Sequence, residues 1–73
     1  MPKIPSLTPK KVIQKLKKLG FIQDHITGSH IVVYHPQTQR RAVIPYHLRD
    51  IPKGTLSALL REANISRQEF LNA

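Results

Sequence analysis

The stretch Thr27-Gly28-Ser29-His30-Ile31-Val32-Val33-Tyr34-His35-Pro36 decides the fold. A glycine opens a tight turn, a run rich in β-branched residues follows, and a proline closes it, which predicts a strand over His30–His35. Side chains alternate along a strand, so His30, Val32 and Tyr34 share one face and Ile31, Val33 and His35 the other. Upstream, Phe21–Ile26 has the same character and folds back on it as a hairpin. Downstream, Pro36-Gln37-Thr38-Gln39 makes a second turn. Arg40–Pro45 is then a third strand, which Pro45 ends because it has no N–H for the ladder. The centre of the chain is a three-stranded antiparallel sheet.

Helices flank it. Thr8 can cap, Pro9 suits the first helical position, and Val12, Ile13, Leu16 and Leu19 form one apolar stripe, so a helix is predicted over residues 9–19, ended by Gly20. Its other face carries Lys10, Lys11, Lys15, Lys17 and Lys18. Beyond Pro52, the spacing of Leu56, Leu59, Leu60 and Ala63 predicts a buried helical stripe over residues 53–63. Ser66-Arg67-Gln68-Glu69 has the form of a capping box, so a short last helix should run to about Asn72 with Phe70 inward. The expectation is one α+β domain over residues 1–73, ordered α-β-β-β-α plus a short C-terminal helix. Both longer helices should lie on the Ile31/Val33 face, and residues 1–7 should form a loose tail.

Composition narrows the function. A chain of 73 residues buries only roughly 60% of its unfolded surface, which disfavours a deep enclosed pocket. With no cysteine there is neither a disulfide framework nor a thiolate zinc site, as in a cytoplasmic protein. The first residues lack the apolar core of a secretory signal, and no later run approaches the length that spans a bilayer, so no membrane role is expected. Twelve Lys and Arg against four Asp and Glu give a formal charge of +8, a surface that attracts polyanions, nucleic acid first.

If the helices cover the Ile31/Val33 face, His30 faces outward beside a tyrosine and can be reached. The four histidines, His25, His30, His35 and His47, raise the question of a metal, but His30 and His35 point to opposite faces and no cysteine is available. A two-metal nuclease needs clustered carboxylates, and only Asp24, Asp50, Glu62 and Glu69 exist. A serine hydrolase using Ser29 fails too: adjacent strand residues point opposite ways and no G-x-S-x-G turn frames the serine. RNA, by contrast, carries its own nucleophile in the 2′-OH, so a base, an acid and nearby cations suffice to cleave it. Imidazole, with an unperturbed pKa of about 6.5, suits the proton transfers. On the residues alone, His30 is either such a group or a partly exposed strand residue.

Leu19-Gly20-Phe21, Gly28-Ser29-His30, His35-Pro36, Val43-Ile44-Pro45-Tyr46-His47 and Gly54-Thr55-Leu56-Ser57-Ala58-Leu59-Leu60 occur in that order, followed by Ala63 and Ile65. In this the chain resembles the HicA (YcfA-like) family of toxins, small messenger-RNA interferases neutralised by a HicB antitoxin. The resemblance implies a fold like the double-stranded-RNA-binding domain, a metal-independent endoribonuclease activity without cofactor, and His30 as the catalytic residue. It also implies an acidic HicB-like partner and an RNA substrate. Gly28 and Ser29 are then turn residues that aim His30. Lys10, Lys11, Lys15, Lys17, Lys18, Arg40, Arg41 and Tyr34 are candidates to hold RNA, and His47 is a candidate second acid or base or else a loop histidine.

One departure stands out: His25 occupies a position where many members of that family carry an arginine or other basic residue. His35 reads as a strand end. The competing function is a non-catalytic RNA-binding module of the double-stranded-RNA type, which has no need of an outward strand histidine. A DNA-binding regulator ranks third, because neither helix exposes base-reading Arg, Asn or Gln.

Overall fold

The computed structural model describes residues 7–73, ordered α1 (Pro9–Lys18), β1 (Ile22–Thr27), β2 (His30–Tyr34), β3 (Arg41–Pro45), α2 (Lys53–Glu62) and α3 (Arg67–Leu71). It is an α+β fold with one antiparallel sheet of order β1-β2-β3. Residues 1–6 of the expected tail lie outside the described residues. Leu7 is not loose: it bridges Ile51, whose N–H donates to its carbonyl at 2.7 Å.

Local chemistry accounts for each boundary. The Thr8 hydroxyl accepts from the Lys11 N–H at 3.2 Å and Pro9 opens α1. At the other end Phe21 N–H donates to Leu16 and Gly20 N–H to Lys17, the paired bonds of a Schellman cap, with Gly20 left-handed at φ +101°. Asn64, at φ 56°, plays the same part after α2. Ser66 and Glu69 exchange both capping-box bonds at the start of α3, and Phe70 is fully buried.

The core lies between the inner sheet face and the helices, with Val12, Leu16, Val33, Ile44, Leu56 and Phe70 all fully buried. It is centred on β3. Strand β1 extends past the helices, so Ile26, opposite Ile31 and on the inner side, remains 54% exposed. Register in β1 shifts between Gln23 and His25, which makes Asp24 a bulged residue. Simple alternation would have put Ile22, Asp24 and Ile26 on one face, whereas the bulge sends Ile22 and Ile26 to opposite faces.

Candidate active site on the open sheet face

No helix covers the outer face of the sheet, and the register arranges its side chains in three rungs. Thr27, His30 and Pro45 form the first, His25, Val32 and Val43 the second, and Ile22, Tyr34 and Arg41 the third. His30 is exposed at the end of the sheet where the β1–β2 turn closes. That turn has two residues, Gly28 and Ser29, and of these only Gly28 is left-handed, at φ +56°, the pattern of a type II′ hairpin. An added Cβ at Gly28 would meet open space, so the glycine is required by backbone conformation and not by crowding.

A second segment comes to the same end of the sheet. Because His30 pairs with Pro45, the residues just past β3 fold over the turn. The Tyr46 N–H donates to the Ser29 carbonyl at 3.1 Å, and the Tyr46 hydroxyl donates to the Gly28 carbonyl at 3.0 Å. Ser29 thus contributes its backbone to this tether. His47 follows, exposed, with its ring centroid 5.8 Å from that of His30 and the rings inclined at 62°. Two imidazoles therefore stand side by side, each open to a ligand.

The cations are more scattered than a single basic face would be. Lys10 and Lys17 line a groove of about 480 Å³ beside α1, together with Ile13, Gln14, Ile31 and Tyr46. Lys15 lies on a different flank, half-buried: its Nζ sits 5.5 Å from the Phe70 ring centroid and donates to the Ala73 carbonyl at 3.2 Å. Lys11 and Lys18 are exposed. Arg40 and Arg41 diverge, for Arg40 donates to the Asn64 carbonyl at the end of α2, while Arg41 lies on the outer face.

Arg41 is also partly neutralised. Its guanidinium donates to Asp24 at 2.7 Å and stacks over Tyr34, 4.9 Å from the ring centroid. The hydrogen bond from Arg41, and after it that from His25, holds the Asp24 carboxyl below the usual carboxylate range. Within this cluster Arg41 lies in the rung of Tyr34, four strand positions from His30 or about 13 Å along the sheet, while His25 lies in the rung between. Arg41 is therefore nearer to a neighbouring nucleotide than to a phosphate at His30. His25, in place of the arginine or other basic residue of the resemblance, belongs to this Asp24–Arg41 cluster and not to His30's rung.

His35 has a different task. Its Nδ1 accepts from the backbone N–H groups of Gln37 and Thr38, and its ring meets Phe21 edge-on at 5.2 Å, so it organises the β2–β3 turn. Among the described residues, no three of His, Cys, Asp and Glu come together as a metal would need. Sequence reasoning did not find Tyr46, whose partners lie 17 and 18 residues away, nor Asp24, whose reach to Arg41 depends on the bulge.

A comparison with curated proteins finds no match. The family model for the HicA toxin of bacterial toxin–antitoxin systems matches residues 9–65, from the start of α1 to just past α2, with both His30 and His47 inside the match. Since that match spans well over half of its length, and its topology agrees, the chain belongs to the HicA toxin family.

Proposed function

We propose that this toxin is a metal-independent endoribonuclease that cleaves messenger RNA in the cytoplasm, with His30 as the catalytic residue, and that an acidic HicB-like antitoxin silences it. The observation that carries this reading is the placement of His30: exposed, at the rim of an uncovered sheet face, on a turn fixed by Gly28 and by the Tyr46 tether. A histidine kept for packing would be turned inward, as His35 is. In this mechanism the ribose 2′-oxygen attacks phosphorus, the bond to the 5′-oxygen breaks, and imidazole carries a proton between reacting oxygens and solvent. The products are a 2′,3′-cyclic phosphate and a 5′-hydroxyl. Lys10 and Lys17, and Arg41 with Tyr34, would hold flanking nucleotides. No helix among the described residues is long and apolar enough to cross a membrane.

The test is cleavage of a messenger RNA by purified protein. His30→Ala should lose cleavage while keeping its fold and its RNA affinity. RNA with a 2′-deoxy residue at the scissile position should resist, and EDTA should change nothing. Undiminished cleavage by His30→Ala would refute the assignment, and loss of activity in chelator would point to a metal. A wild-type protein that binds RNA and never cuts it would be the non-catalytic binding module.

A further inference from the structure

We infer that His47 is the second proton-transfer group of the reaction, so that His30 and His47 work as a two-imidazole pair on one phosphate; the inference rests on the nuclease reading above. In a displacement at phosphorus the attacking 2′-oxygen and the leaving 5′-oxygen stand on opposite sides of the reacting atom. One must lose a proton and the other must gain one. With a hydrogen bond of about 2.7–3.0 Å at each end, the two proton-transfer groups must stand several ångströms apart, too far to bond each other and close enough to share a phosphate. The His30 and His47 rings, 5.8 Å between centroids and without a hydrogen bond between them, are close enough to share a phosphate.

Their surroundings leave both free for the task. Neither ring is engaged in a hydrogen bond or ion pair among the described residues, whereas His25 is held by Asp24 and His35 by its own turn. Both are exposed, and each sits on a segment fixed by backbone bonds. His30 opens β2 opposite Pro45, and Tyr46 anchors the residue before His47 to Gly28 and Ser29. A loop histidine with no part in the reaction would not need to be anchored beside the catalytic one. Asp24, the carboxylate on β1, is itself engaged by Arg41 and His25.

The proton balance is simple. One imidazole enters neutral and takes the 2′-hydroxyl proton as the new P–O bond forms. The other enters protonated and gives its proton to the 5′-oxygen as that P–O bond breaks. Exchange with water then restores both.

The experiment measures single-turnover cleavage by wild type, His47→Gln, His47→Ala and His30→Ala on two substrates. One is an ordinary RNA oligonucleotide; the other carries sulfur in place of the bridging 5′-oxygen at the scissile bond. Both His47 variants should fall by about 10²–10⁴-fold on ordinary RNA, with RNA affinity changed by no more than a few-fold and unfolding curves unchanged. A thiolate leaves without being protonated, so the substrate with sulfur should rescue the variant lacking the acid and leave the variant lacking the base slow. Rescue of one position and not the other supports the pair and assigns its direction. Wild-type rates in the His47 variants would overturn it. So would a loss that sulfur rescues at neither position, which would make His47 a phosphate-binding group. Wild-type protein that cleaves neither RNA would sink the nuclease reading itself, before any variant is compared.

Discussion

At Gly20 a single missing Cβ holds two parts of the molecule together. The residue is left-handed, and a Cβ placed there would lie 2.6 Å from His35 Nε2, against the ring that organises the β2–β3 turn. Gly20→Ala should therefore cost about 1–3 kcal/mol, combining backbone strain with displacement of His35. Gly54 has an ordinary helical backbone in α2 and open space around it, so Gly54→Ala should stabilise by about 0.4–1 kcal/mol. Urea unfolding of the two variants checks both signs, and a neutral Gly20→Ala would remove the crowding argument. At this scale much was legible in the sequence. A glycine before a β-branched run marks a turn whichever way the rest folds, so the position of His30 at the start of a strand followed from local rules. The approach of His47 to it did not, because that contact is set by pairing between residues far apart in the chain.

Among the elements, α1 shows what periodicity does and does not fix. The stripe of Val12, Ile13, Leu16 and Leu19 correctly oriented the helix, with Val12 and Leu16 buried and Ile13 and Leu19 packed partly buried against the core, and Thr8, Pro9 and Gly20 marked its ends. The polar side was harder to read, since five lysines on a wheel look like one face until their neighbours are known. Lys10 and Lys17 flank the groove next to Tyr46, while Lys15 lies over Phe70. Reversing charge at Lys10 and Lys17 should thus weaken RNA binding and flatten its dependence on salt, through the loss of phosphate contacts. Lys15→Glu should instead lower the unfolding midpoint, as its stem and cation leave the Phe70 ring. Titrations at several salt concentrations, with melting curves alongside, separate the two effects; equal loss of affinity at all three positions would restore a single basic face. In β1 the bulge at Asp24 was invisible to alternation, and with it the pairing of Asp24 with Arg41. No residue type marks that site, because the extra residue is accommodated by register.

For the molecule as a whole, the open sheet face is where inhibition should act. An acidic antitoxin that covers the rungs of His30, Val32 and Tyr34 would exclude RNA by occupancy, and attraction to a +8 chain would speed its capture at low salt. Hydrogen exchange of free and bound toxin should then show new protection over residues 28–35 and 45–47. Protection confined to residues 53–72 would mean that the antitoxin grips the helices and acts by distortion. The division of labour along the chain has one more consequence, and it concerns birth, not inhibition. His30 and His47 are both translated before α2 and α3, yet Ile51, Leu56, Leu60 and Phe70, all buried, come later. Polypeptides emerge N-terminus first and a small domain condenses as a unit, so the nascent chain holds both imidazoles well before it has the side chains that close its core. The proposed nuclease is therefore assembled only once α2 and α3 have been made, and a chain still lacking them carries both imidazoles without the fold that sets them side by side.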